Sequence, residues 1–168
     1  LLRISANNRI SVAQFALGGY SCYNHPSKPF LGDPAMMMLF PDQQFGQSAT
    51  VNTVSQTSWW WWNNWWWNQN KPEHYINVMT ASSDTASFQI NNKKLPASAW
   101  KSKANFSNFH FAQISVDSGS HYLKSSKGFL AYVYGYGVYE GYAFAAAANF
   151  KPIQNNFVII DAQCKKDT

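Results

Sequence analysis

The chain has 168 residues, 17% aromatic and 12% charged, with a formal net charge of +5. That length suffices for a domain with its own core, while the charged fraction is about half the roughly 25% of an average domain. The basic residues are scattered, as at Lys93-Lys94, Lys101, Lys103 and Lys165-Lys166, without the concentrated stripe of a nucleic-acid binder, and no apolar run reaches the roughly 18 residues of a membrane-spanning helix.

Tyr, Phe, Trp, Asn, Ser and Thr take the place of Glu, Lys and Leu, and these side chains suit a pleated, half-buried surface. The chain opens Leu1-Leu2-Arg3 in a strand-like segment, without Met or a signal-peptide pattern, as expected of a processed product or a piece of a longer chain. Period-two alternation predicts strands over residues 2–5, 10–15, 36–40, 50–54, 75–80, 86–90, 109–116, 121–124, 129–136 and 157–161. Turn residues separate them: Ala6-Asn7-Asn8, Gly18-Gly19, Gly32-Asp33-Pro34, Asn91-Asn92, Asp117-Ser118-Gly119 and Ser125-Ser126-Lys127-Gly128. Residues 97–101 fit a single helical turn. Residues 143–149, AFAAAAN, are too short for an isolated helix and read as an apolar loop or edge. The strand over 129–136 is expected to be central and covered on both sides, with Phe129, Ala131, Val133 and Gly135 on one face and Leu130, Tyr132, Tyr134 and Tyr136 on the other. Many short strands at close spacing indicate an all-β, antiparallel sandwich or jelly-roll-like module.

Residues 4–15 echo residues 123–134 at a constant offset, each reading strand, polar turn, apolar strand. The echo suggests two related β-lobes. Residues 1–22 would be the tail of a first lobe and its connection, and residues 23–168 the second lobe.

The chemistry-bearing residues are few. No HExxH, GxSxG or P-loop pattern occurs, and no acid pair is set beside a nucleophile, so no enzyme, cofactor or metal site is expected. His121, at the start of a strand, reads as bonding to nearby backbone; His110 reads as core or interface. Asp33, before Pro34, reads as a turn residue, with a calcium ligand the sharper alternative. The glycines of GYGVYEG (135–141) do not lead into a helix as a phosphate loop should, so they mark bulges or close backbone approach. Cys22 and Cys164 form no CxxC, and count alone leaves one disulfide or two free thiols open.

Seven of the eight tryptophans, Trp59, Trp60, Trp61, Trp62, Trp65, Trp66 and Trp67, fall in nine positions. Together they exceed the few hundred Å² of apolar patch that a monomer exposes. Three readings stay open: an assembly interface, a sugar-stacking platform, or a run standing for other bulky or glycosylated side chains. Asn105-Phe106-Ser107 is a glycosylation sequon in an expected loop.

Five segments then carry a family resemblance: ISVAQFALGGYSC (10–22), GDPAMMMLFPDQQFG (32–46), HYINVMT (74–80), GSHYLKSSKGFLAYVYGYG (119–137) and YEGYAFAAA (139–147). In this order they resemble the N-terminal domain family of the IgG Fc-binding protein. The chain departs from the family pattern at Ile90-Asn91-Asn92, where an LDG-type turn is usual, and at 140–147, where ESYGYPAG is usual. The resemblance implies an extracellular, all-β module of large secreted proteins of mucus and extracellular matrix, serving adhesion or assembly rather than catalysis. It also implies a disulfide at Cys22, for which Cys164 is the only partner in the chain; such a bridge would contribute roughly 3–5 kcal/mol. The expected function is a non-catalytic structural or adhesive module whose partners are other copies or domains of an extracellular assembly, or glycans. A lectin-like carbohydrate-binding module is the alternative.

Overall fold

The structure is a computed structural model that describes residues 4–8, 10–16, 32–54, 72–137 and 140–149. Among them, nine strands and four short 3-10 turns make up the regular structure, and every strand pairing is antiparallel. The strands are β1 (Val12–Ala16), β2 (Ala35–Leu39), β3 (Gly46–Thr53), β4 (Glu73–Ala81), β5 (Gln89–Ile90), β6 (Lys93–Lys94), β7 (Phe109–Val116), β8 (Gly119–Gly137) and β9 (Glu140–Ala146).

The 19-residue β8 organises the main sheet. Its first half lies between β3 and β5, and its second half between β9 and β4; β6 extends the sheet beyond β5 and β7 beyond β4. The two halves meet at a bulge. Ser48 pairs with Lys124 and Gly46 with Phe129, so two steps along β3 answer five along β8. Residues 125–128, expected as a turn between two strands, are therefore a kink inside one strand. Gly128 supplies a φ of +105° there, and a Cβ on it would stand 3.0 Å from Cβ of Phe45.

Asp84 fastens this kink. Its carboxylate accepts from Ser87 Oγ (2.7 Å), from the Lys127 amide (2.8 Å) and from Ser125 Oγ. Residues 86–88, the start of an expected strand over 86–90, instead belong to a turn around this carboxylate, with Ser87 N donating to Asp84 O at 3.0 Å. Only Gln89–Ile90 remains as strand.

Alternation along the strands builds one core. On β4, His74, Ile76, Val78 and Thr80 are buried and the intervening residues half-buried. Ile76, Val78, Ala131 and Val133 from one half of the sheet meet Val51 and Leu123 from the other, and Phe88 and Phe129 join them. Phe88 packs edge-on to Phe129 (5.2 Å) and to Trp100 (5.7 Å). Burying each such aliphatic or aromatic side chain contributes about 1.5–3 kcal/mol. The central strand forms over 129–136 with the two faces expected: Phe129, Ala131, Val133 and Gly135 are buried on one, while on the other Leu130 is buried and Tyr132, Tyr134 and Tyr136 stay half-buried.

β7 spans the predicted residues, and the 3-10 turn Ala97–Ala99 falls in the single turn expected. Ile4 and Ser5, the described part of the predicted first strand, are not in a strand, and 157–161 lies outside the described residues. The 143–149 segment, read as loop or edge, supplies most of β9. Its small residues explain this. β2 lies against β9, and a Cβ on Gly141 would stand 2.4 Å from the Asp33 carbonyl oxygen. Ala143 and Ala145 continue that same face. Gly32 N donates to Gly137 O at 2.7 Å, and Phe40 N to the Tyr132 hydroxyl at 3.1 Å, pinning both ends of the segment that carries β2.

Candidate functional site

At one end of the sheet, β4 begins, β8 ends and β9 begins. A cavity of about 280 Å³ opens there, with Asp33, His74, Tyr136, Glu140 and Tyr142 as its polar lining. Val54 and Pro72 complete one wall. These two residues flank the segment that holds Trp59–Trp67, which lies outside the described residues.

His74 reaches the cavity from the inward face of β4 and is 3% exposed. Its Nδ1 lies 2.8 Å from the Tyr142 hydroxyl and its Nε2 3.0 Å from Ser118 Oγ. Burial lowers its pKa, the neighbouring His121 lowers it further, and Asp117 pulls weakly the other way, so the ring is neutral at neutral pH. Burial likewise raises the pKa of Tyr142, although a backbone hydrogen bond opposes it. The pair is therefore an uncharged, fully hydrogen-bonded wall. Ser118 is at nucleophile–base distance from His74, but a phenol rather than a carboxylate holds the far nitrogen, and a depressed pKa makes the imidazole a weaker base.

A second feature lies on the outer face. Tyr75 of β4 stacks on Tyr134 of β8 at 5.4 Å, and Tyr136 meets Tyr134 edge-on at 5.7 Å. Gln113 Nε2 donates to the Tyr134 hydroxyl, which donates to Asn77 Oδ1 (3.4 Å), and the Tyr75 hydroxyl donates to Glu73 Oε2 (2.8 Å). The face thus sets aromatic rings beside amide and carboxylate groups.

Of the residues singled out in the sequence, Cys22, Cys164 and the tryptophans lie outside the described residues. Asn105 sits in the 3-10 turn Ala104–Phe106, between exposed Ala104 and Ser107. His121 bonds to nearby backbone as expected, its Nε2 donating to Asp117 O at 2.9 Å while Asn91 Nδ2 donates to Nδ1. His110 is half-buried and bonds Ser82 Oγ through Nδ1 at 2.8 Å. Asp33 follows the turn glycine and lines the cavity. Among the described residues, no group of three or more His, Cys, Asp or Glu is arranged to hold a metal ion. Sequence reading missed His74, Glu140 and Tyr142. A signal for His74 was present, since alternation puts it on the face of Ile76 and Val78.

The family model of the IgGFc binding protein matches residues 1–135. No curated protein and no solved structure matches the chain. The family is one of non-enzymatic binding domains and is typically extracellular. Among the described residues, no helix is long and apolar enough to cross a membrane. With the match covering 135 of the 168 residues, the chain belongs to the IgGFc binding protein family.

Proposed function

We propose that this chain is a non-catalytic structural and adhesive module of a large extracellular assembly. One observation carries the reading. The β1–β2 hairpin turns an apolar face outward, with Phe15 directly opposite Met36, and Phe15, Met36 and Met38 are 65%, 56% and 43% exposed. Aromatic and Met side chains without neighbouring charge are typical of the centres of protein–protein interfaces, and another copy or an adjoining domain covers them in this reading. The tryptophans at 59–67 add a further contact with a neighbouring chain or a glycan. Residues 1–22 are the tail of a preceding lobe, Cys22 pairs with Cys164, and Asn105 carries a glycan. Sedimentation of the whole chain over a concentration series tests the assembly reading. Self-association or incorporation into the native assembly that weakens on Phe15→Ser with Met36→Ser is expected. A monomer at every concentration, incorporated as well with these changes as without, would overturn it.

The outer face favours a second reading, a lectin-like module. Stacked Tyr75 and Tyr134 beside Asn77, Gln113 and Glu73 offer ring faces and hydrogen-bonding groups of the kind sugars use. Saturable binding on a glycan array, lost with Tyr75→Ala, would favour it over the assembly reading; no sugar binding would remove it.

A further inference from the structure

Asp117 and Ser118 connect β7 to β8, and Gly119 begins β8. This turn is held from both halves of the sheet at once. From the half that contains β3, Thr53 Oγ1 donates to Asp117 O at 2.8 Å and accepts from Gly119 N at 2.9 Å. His121, on the first half of β8, donates through Nε2 to the same Asp117 oxygen at 2.9 Å. From the other half, His74 of β4 meets Ser118 Oγ through Nε2 at 3.0 Å. Val54 closes the circuit. Its amide donates to the hydroxyl of Tyr142 on β9, and that hydroxyl holds Nδ1 of His74 at 2.8 Å. The rings of His74 and His121 are 3% and 7% exposed, whereas Asp117, Ser118 and Gly119 are exposed. The turn can therefore swing outward without unpacking the core.

Neighbouring groups fix where the protons lie. Asn91 Oδ1 accepts from the Tyr122 amide at 2.9 Å, so its Nδ2 faces His121 Nδ1 and that nitrogen accepts, at 3.2 Å. The Tyr142 oxygen accepts from Val54, so its O–H points at His74 Nδ1, and His74 Nε2 donates to Ser118. A further proton on either ring would aim a donor at a donor. We propose that this circuit is an acid-operated clasp: proton uptake by His74 and His121 releases the β7–β8 turn and lets the two halves of the sheet part at this end. Burial first, and the charge of His121 second, hold the pKa of His74 below its ordinary 6.5 in the closed clasp, while Asp117 opposes them more weakly. The open clasp returns the ring to water. A ring that stays neutral when closed and takes its proton at the ordinary value when open favours opening by up to about tenfold at pH 5.5. The other titratable groups nearby are Asp33, Tyr136 and Glu140 in the lining of the adjoining cavity, and Glu73, which accepts from the Tyr75 hydroxyl. Asp33 and Glu140 are exposed, so water and salt screen them from the buried ring.

The inference concerns the fold's own response to pH and is independent of the assembly and sugar readings. Amide hydrogen exchange of the whole chain, followed residue by residue by NMR at pH 7.5 and 5.5 and corrected for the intrinsic effect of pH on exchange, tests it. The Gly119 amide, bonded to Thr53, reports on the clasp. The amides of Ile76 and Val78, on the strand between β7 and β8, report on global unfolding. At pH 5.5 Gly119 is expected to be at least about tenfold less protected than Ile76 and Val78, and to have lost about tenfold in protection from its value at pH 7.5. His74→Gln is expected to remove most of that loss. His110→Gln, which changes a histidine bonded to Ser82 instead, is expected to keep it. Protection of Gly119 that does not change with pH, exchange of Gly119 in step with Ile76 and Val78 at both pH values, or the parent's pH response in a folded His74→Gln variant would each overturn the proposal. The first two results need only the unaltered chain, so they decide the matter even where a variant does not fold.

Discussion

His74 Nδ1 and the Tyr142 hydroxyl meet at 2.8 Å over Gly135. A Cβ on that glycine would stand 2.5 Å from Cε1 of Tyr142 and 2.8 Å from His74 Nδ1. Strands β4, β8 and β9 pass side by side here, since His74 pairs with Gly135 and Gly135 with Tyr142. The middle strand must lack a side chain for the outer two to join hands. Gly135→Ala is expected to push the two rings apart and to cost about 1–3 kcal/mol. Urea unfolding reads this as a lower midpoint with unchanged slope. A variant as stable as the parent would show that the pair tolerates separation.

The same pair makes stability pH-dependent. His74 has a pKa below the ordinary 6.5, from burial first and from His121 second. The unfolded chain therefore binds a proton at a higher pH than the folded one. The stabilisation is fully present above about 6.5 and is lost as pH falls from there through the folded value. Unfolding free energy measured from pH 7.5 downward should decline in that window, and His74→Gln should flatten the decline. An unchanged slope in that variant would assign the dependence to another group.

Asp84 is 3% exposed and holds the β8 kink through Ser87, Ser125 and the Lys127 amide. Burial pushes its pKa up, but these hydrogen bonds and the Lys127 charge outweigh burial and hold it below the ordinary 3.8. Its contribution is therefore present above about pH 3.8 and is lost as pH falls through the folded value. Asp84→Ala would take the acceptor from two hydroxyls and an amide at the kink, a loss of about 3 kcal/mol or more. Chemical denaturation at neutral pH measures it; a loss under about 1 kcal/mol would mean water replaces the carboxylate.

Val133 is fully buried between β4 and β9. Val133→Asp places an unpaired charge in the core, which costs more than most domains can bear. The variant is expected to be unfolded by circular dichroism and near-ultraviolet absorbance, and recovered as aggregate. A folded, soluble variant would move Val133 out of the core.

The composition and the period-two pattern were enough to specify an antiparallel β-fold, because aromatic, β-branched and hydroxyl residues alternate over lengths no helix would use. β7 and the two faces of residues 129–136 followed from that pattern alone, and the backbone bond of His121 followed from its place at the start of a strand. What alternation could not supply was continuity. Ser125-Ser126-Lys127-Gly128 has turn chemistry, and only the Asp84 carboxylate, more than forty residues away in sequence, turns those polar groups into a kink within β8. AFAAAAN looked featureless because its small side chains matter only once β2 lies on them. The cavity was illegible for the same reason. Asp33, His74, Glu140 and Tyr142 come from three separated stretches, each ordinary by itself; pairing of β4, β8 and β9 brings the last three together, and the packing of the β2 segment on β9 adds Asp33. Local pattern fixes which face of a strand is buried; which strands become neighbours, and so which side chains share a site, is decided by long-range packing.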